Sequence, residues 1–284
     1  MNCDLHTHTS HSDGSYTPSA LIAAAKEKNL IIALTDHNTV SGLPDFLGEA
    51  ERLGVTAVGG TELTTEYGGR EFHLIGLFIE PEHYEAVENL CNEMLRKKEL
   101  CNRDLVAKLQ AMGYDIDYDV IKKRNIKGRA NRAHIAAELY ERGYVSSVQE
   151  AFSKLLEESC GLYKPVGRLM LCDAIDFLNS INAVSVLAHP LKEIDVNELR
   201  DILPDLSSHG LCAIETMHSS YTDEQIADSK AIASEFGLLE SGGSDFHGMV
   251  KHGVELGVGR GNLSISNEYY EKLLSKHIEI MNHK

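Results

Sequence analysis

Short apolar runs in this chain repeatedly end in a histidine or a carboxylate, and this phasing constrains the fold more than any other feature. LIIAL runs into Thr35-Asp36-His37-Asn38, VTAVG into Gly60-Thr61-Glu62, AVSVL into Ala188-His189-Pro190, and GLLES precedes Gly243-Ser244-Asp245-Phe246-His247. Asp4-Leu5-His6-Thr7-His8 opens the series, Ser12-Asp13-Gly14 follows in a turn, and His73 lies inside EFHLIGLF. Apolar runs this short, bounded by turn residues, read as buried strands. His6 and His8, two residues apart on a strand, project to the same face. Where such strands alternate with helical patterns the sheet is parallel, and its chemistry collects at the C-terminal strand ends. Most of these groups fall at or just beyond a strand end, so they converge on one barrel mouth.

The intervening segments supply the helices. Thr17-Pro18 gives an N-cap and a first-turn proline ahead of SALIAAAKEKN, and 41–53 has helical spacing. Strands are expected over 3–5, 30–34, 55–59, 72–79, 183–187, 211–215, 238–241 and 255–258. Between them the pattern changes: HYEAVENLCNEMLRKKELCNRDLVAKLQAMG is one long helical stretch, followed by two or three shorter helices without a strand. The expected organisation is a first barrel portion over 1–81, a helical insertion or cap over 82–165, and a second barrel portion over 166–284.

Composition removes several function classes. With 43 Asp+Glu against 27 Lys+Arg the net charge is −16, which excludes a general duplex-DNA binder, since phosphate contacts need clustered cations. No apolar run approaches the ~18 residues of a membrane span, and MNCDLHTHTS lacks a signal-peptide pattern, so a cytoplasmic protein without membrane partners is expected. Cys3, Cys91, Cys101, Cys160, Cys172 and Cys212 show no CxxC pairing and read as reduced, mostly buried thiols. The pattern does not specify the oligomeric state.

Imidazole and carboxylate ligands together suit zinc, manganese or iron, and the absence of a cysteine cluster disfavours a closed structural zinc site. A lone His73 would more often be a hydrogen-bonded core residue; its membership of a phased series argues for a ligand. His83, His209, His252, His277 and His283 stand in polar contexts and read as surface residues, and His11 as exposed or supporting.

DLHTHTSHSDG, TDHN, the Glu of GGTE, the AHP triplet and GSDFH resemble the four motifs of the polymerase and histidinol phosphatase (PHP) family. The resemblance covers both barrel portions. It implies an α/β fold, a distorted (β/α)7 barrel interrupted here by the helical insertion, and a family centre that is trinuclear; the cofactor expected for this chain is two to three divalent ions (Mn, Fe or Zn). Carried over by residue, it places His6, His8, Glu62 and Asp245 around one metal. Glu62 then bridges to a second held by His73 and His189, and Asp13, His37 and His247 take a third. Asp36 is expected to orient a histidine from behind.

Such a centre implies phosphoester hydrolysis by metal-bound hydroxide, with Glu62 and Asp245 in the catalytic set. His218, after a strand in IETMHSS, either protonates the leaving alkoxide, touches phosphate or packs in its loop. No GxSxG, P-loop or dinucleotide fingerprint competes. Lys122, Lys123, Arg124, Lys127, Arg129 and Arg132 crowd into the insertion, followed by His134, and suit phosphate binding. GRANRAHIAAELYERGYVSSVQEAF and YKPVG resemble the PHP subgroup acting on the 3′-phosphate of 3′,5′-bisphosphonucleotides and on short RNA from the 5′ end. That resemblance implies a phosphorylated nucleotide or short oligonucleotide substrate and a binding role for Arg129 or Arg132 with His134. A histidinol-phosphate-type phosphatase, a non-catalytic PHP module and an amidohydrolase-like C–N hydrolase are the alternatives.

Overall fold

The computed structural model describes residues 2–124, 130–164 and 166–283. The chain divides into two compact units, Met1–Cys91 with Leu169–Lys284, and Asn92–Arg168.

The first unit is a seven-stranded sheet in sequential order: β1 (Asn2–Asp4), β2 (Leu30–Leu34), β3 (Ala57–Tyr67), β4 (Arg70–Leu77), β5 (Val184–Ala188), β6 (Ala213–His218) and β7 (Leu239–Gly243). Pairing is parallel from β1 to β3 and from β5 to β7, but β4 runs antiparallel to both neighbours. This departs from the all-parallel expectation, and its cause is local. Gly68 and Gly69 both take positive φ, 58° and 83°, the backbone of a two-residue hairpin whose twist matches its strands. The chain therefore turns straight back without a crossover helix. The segment after β1 closes the sheet on β7: Leu5 N–H donates to Gly242 O at 3.1 Å, and His8 N–H to Phe246 O at 2.9 Å.

The strand expected over 255–258 is instead a turn. Gly257 and Gly259 have positive φ, and the Gly257 N–H donates to the buried Asp4 carboxylate at 2.8 Å. Satisfying that carboxylate outcompetes strand pairing.

Helices α1 (Pro18–Glu27), α2 (Leu43–Leu53) and α3 (Tyr84–Ala111) lie in the first half of the chain. Thr17 caps α1 by accepting from Ala20 N–H, with Pro18 in the first turn as its sequence position implies. Neighbouring residues of β2 divide between two cores. Leu30, Ile32 and Leu34 pack with Leu21, Ile22 and Phe46 of the helices, while Ile31 and Ala33 join Val58, Ile75, Val184 and Val186. That two-sided burial explains why β2 reads as a continuous apolar run.

In the second unit the remainder of α3 joins α4 (Tyr118–Arg124), α5 (Arg132–Glu141) and α6 (Val148–Ala151) around Leu105, Leu109, Ile121, Ile135, Leu139 and Leu156. The barrel unit is completed by α7 (Leu171–Ser180), α8 (Val196–Ser208), α9 (Asp223–Glu235) and α10 (Asn267–Asn282). Among the described residues no helix is long and apolar enough to cross a membrane.

Candidate metal centre

The histidines and carboxylates singled out by their phasing gather at one end of the sheet. His6 and His8 lie on the extended segment after β1, with ring centroids 5.1 Å apart. His37 follows β2, His189 follows β5, and Asp245 and His247 follow β7. Glu62, expected just beyond a strand, lies inside β3, and His73 lies inside β4. Asn38, His189 and Asp245 take φ of 51°, 31° and 55°, in the left-handed region that costs an L-residue energy. Packing must hold them there. Gly243 shows how tightly the segments meet, since a Cβ there would come within 2.3 Å of the His6 Cβ.

Glu62 is the hub, only 1% exposed. Its Oε2 faces His6 Nε2 and His8 Nε2, each at 3.3 Å, and His37 Nδ1 at 3.1 Å. Its Oε1 faces His73 Nδ1 at 2.9 Å and His189 Nε2 at 3.1 Å. Asp245 Oδ1 lies 3.7 Å from His6 Nε2 and 3.4 Å from His8 Nε2. Asp13, the most exposed member, lies 3.2 Å from His247 Nε2 and 3.8 Å from His37 Nε2. The structure thus brings together all nine of these residues, in overlapping groups whose donor atoms lie within 4.8 Å of one another.

Burial pushes the Glu62 carboxyl up, but the neighbouring His6 and His37 and the hydrogen bond from His189 outweigh it and hold the group well below the usual carboxylate range. Asp245 is likewise held low against its burial, first by His6. Burial lowers His8 and His73, yet their carboxylate partners raise both to about 9, whereas burial dominates at His37 and His189, which fall to about 4. A cation resolves this crowding. His6 Nε2, His8 Nε2, His37 Nδ1, His189 Nδ1 and Glu62 Oε2 are buried without a hydrogen-bond partner, a costly state for polar atoms unless something ligates them. The nitrogen and oxygen donor set fits zinc, manganese or iron.

Several supporting residues escaped the sequence reading. Glu215 on β6 takes His6 Nδ1 at 3.1 Å and the His189 N–H at 2.8 Å. Asp4 accepts from Ser244 N–H and from Gly257 N–H, each at 2.8 Å, tying the first strand to the loop after β7. Lys251 pairs with Asp245. Asp36 orients no histidine; it accepts from Thr9 N–H at 2.8 Å and from the Thr9 and Ser12 hydroxyls, and so pins the loop leading to Asp13. His277, read as a surface residue, is 8% exposed and stacks on Phe78.

His218 is fully buried behind Asp245, with Nε2 at 3.2 Å from Asp245 Oδ2 and Nδ1 at 2.8 Å from Ser220 Oγ. In the second unit Arg132 stacks over Tyr163 at 4.3 Å and donates to Leu156 O, and His134 completes the capping box of α5 with Asn131. Arg129 lies outside the described residues. A cavity of about 270 Å³ opens at the centre, lined by His37, Glu62, His73, His189, Asp245 and His247, with Lys192, Val250 and Lys251 as its remaining walls.

Residues 4–171 match the model of the PHP domain. The chain is similar to a phosphoribosyl 1,2-cyclic phosphate 1,2-diphosphodiesterase from Eggerthella lenta, at 31% identity over 86% of this chain and 94% of that protein. It is also similar to a 3′,5′-nucleoside bisphosphate phosphatase from Chromobacterium violaceum, at 28% identity over 90% of both chains, and to a 5′-3′ exoribonuclease from Haemophilus influenzae, at 29% over 86% of this chain and 89% of the relative. A solved structure described as an amidohydrolase from Chromobacterium violaceum with bound sulfate superposes with a TM-score of 0.70 at 25% identity, covering 97% of each chain. A family match over more than half of its length, carried by motifs that meet at one buried cluster, means that this chain belongs to the PHP domain family.

Proposed function

We propose that the cavity at the strand ends takes a phosphoester of a nucleotide, most specifically the 3′-phosphate of a 3′,5′-bisphosphonucleotide and, as an extended form of the same substrate, the 5′ end of a short oligoribonucleotide. The enzyme class is coarser: this PHP-family chain is a metal-dependent phosphoesterase, a hydrolase. The observation that carries the reading is the lining of the cavity, which combines acid and imidazole donors with Lys192 and with Lys251, itself paired with Asp245. A phosphoryl group is the ligand that needs both halves.

His6, His8, Glu62 and Asp245 would hold one ion, Glu62 with His73 and His189 a second, and Asp13, His37 and His247 a third. Bound divalent ions neutralise phosphoryl charge and bring the pKa of a coordinated water toward neutrality. The chain's own residues do the rest. Glu62 supplies a different oxygen to each flank of the site, which fixes the spacing of the two groups of imidazoles. Glu215 and His218 hold His6 and Asp245 in place. Lys251 and Lys192 attract the anionic ester and favour the departing alkoxide by hydrogen bonding, and exposed Val250 offers an apolar edge to a nucleobase. In this reading Arg129, Arg132 and His134 bind a phosphate remote from the scissile one.

The relative with 31% identity favours a second reading, a cyclic phosphoribosyl diester. The test is hydrolysis with Mn²⁺ supplied, read as inorganic phosphate from 3′,5′-bisphosphonucleotides and histidinol phosphate, as nucleoside monophosphates from 5′-phosphorylated short RNA, and as the ring-opened monoester from a phosphoribosyl cyclic phosphate. Preference for the bisphosphonucleotide by at least tenfold in kcat/KM supports the first reading. A preference for the cyclic diester or the amine phosphate overturns it.

A further inference from the structure

We propose that Cys172, Asp205 and His209, on the neighbouring helices α7 and α8, form a zinc site that shares no residue with the cluster at the strand ends. Cys172 and Asp176 stand one turn apart on α7. Asp205 stands one turn before His209, the residue that caps α8. Such i, i+4 pairs present two side chains on one stripe of a helix, so the two helices offer facing pairs. The Cys172 sulfur, an Asp205 oxygen and one His209 nitrogen all lie within 4.8 Å of one another.

The spacing fits an ion. A tetrahedral zinc with Zn–S of about 2.3 Å and Zn–O of about 2.0 Å holds those donors roughly 3.5 Å apart, and Cys172 Sγ, which donates to Asp205 Oδ2 at 3.5 Å, already stands at that spacing. The supporting contacts point the same way. Asp176 takes His209 Nδ1 at 3.0 Å and orients the imidazole, so zinc would take Nε2. Tyr67 donates its hydroxyl to Asp205 Oδ2 at 2.8 Å and fixes that carboxylate. Asp205 is exposed while Cys172 is half-buried, so one side of the ion would stay open to solvent and water would complete its coordination.

Donor chemistry selects the metal class. A thiolate favours zinc or cobalt over magnesium, calcium or manganese, which prefer oxygen. Burial and the Asp205 charge push the Cys172 thiol up to about 11, so zinc binding there would displace a proton. Among the described residues, no other group of potential ligands includes a cysteine.

That difference makes the site measurable in the whole protein, because a sulfur-to-cobalt charge-transfer band in the near ultraviolet cannot arise from the nitrogen and oxygen donors of the barrel mouth. Metal-stripped protein is titrated with Co²⁺. Wild type and Glu62→Gln should develop the band to one equivalent, and Cys172→Ser and His209→Ala should lose it, while Cys172→Ser keeps the visible bands of cobalt at the mouth. In parallel, Zn²⁺ should protect Cys172 of the wild-type protein from iodoacetamide at least tenfold, read by peptide mass; this arm stands even if a variant fails to fold. No band in wild type at saturating cobalt, an undiminished band in Cys172→Ser, or equal alkylation with and without zinc would overturn the proposal.

Discussion

Glu215→Gln tests the architecture of the site more sharply than removing a ligand does, because Glu215 faces none of the open cavity yet touches two of its imidazole residues. One oxygen faces His6 Nδ1 at 3.1 Å and the other accepts the His189 N–H at 2.8 Å, with the carboxylate 1% exposed. A glutamine can serve only one of them. If its carbonyl stays on the His189 N–H, its amide donates to His6 Nδ1 and forces the imidazole proton onto Nε2, the nitrogen that faces Glu62 and Asp245. If the carbonyl turns to His6, two donors meet at His189 in a buried place, at a cost of about 1–3 kcal/mol in stability. Losing the partner of a ligating histidine typically weakens metal affinity or activity by roughly 10- to 100-fold, or about 1.4–2.8 kcal/mol. The assay is Mn²⁺ or Zn²⁺ affinity by chelator competition, beside phosphate release across a metal titration. The expected variant is folded, binds metal at least tenfold more weakly, and recovers part of its activity at high metal concentration. Wild-type affinity together with wild-type kcat would refute the argument that Glu215 sets the tautomer of His6.

Glu62→Gln should lower metal content and turnover together, since both oxygens face imidazoles; an active variant with full wild-type metal content by elemental analysis would remove Glu62 from the centre. Hydrolysis in ¹⁸O-water should label the released phosphate, and a stoichiometric phosphorylated side chain after rapid quench would reject direct attack by water. Metal-stripped protein should melt at falling temperature as pH rises from 6.5 to 9. His8 and His73, raised to about 9, contribute fully below their unfolded value of 6.5 and lose that contribution through 9. Stability should also fall below about 6.5, where His37 and His189, lowered to about 4, stay neutral in the fold while the unfolded chain takes up protons. Added Zn²⁺ should reverse the alkaline limb; a melting temperature that rises from pH 6.5 to 9 in chelator contradicts this. Arg132→Ala should cost roughly 10- to 150-fold in kcat/KM on a 3′,5′-bisphosphonucleotide and much less on a simple monophosphate, whereas equal losses on both would leave the arginine a structural role through Tyr163 and Leu156 O.

The barrel strands were legible wherever burial on both faces made an unbroken apolar run. Leu30–Leu34 is such a case, and its bounds agree with the sequence reading. β3 extends past its apolar run because its second half, TELTTEY, carries polar side chains on a pairing strand, with Thr61 and Thr65 buried there. The reversal at Gly68 and Gly69 is a two-residue event, and two glycines say that a turn is possible without saying that the crossover helix is missing. At 255–258 the deciding partner, Asp4, lies some 250 positions away, so no local pattern could have shown that a turn would win there.

The same distinction governs the site. Residues facing the cavity recur at strand ends because the barrel repeats, and repetition leaves a trace that phasing recovers: His37, His189, Asp245 and His247 each follow a strand. Residues behind them answer to particular partners and repeat nothing. Glu215 could have been suspected only as a charge at the end of the apolar run LCAI, where an unpaired carboxylate would be costly enough to require a cation or donor nearby. Asp36 had the opposite fault, standing beside a histidine in sequence while its carboxylate turned to Thr9 and Ser12. Adjacency along a strand end separates side chains onto opposite faces, so the neighbour of a ligand is seldom the residue that holds it. Its support comes from the adjacent strand, as Glu215 on β6 serves His189 after β5, and that register exists only once the sheet has formed.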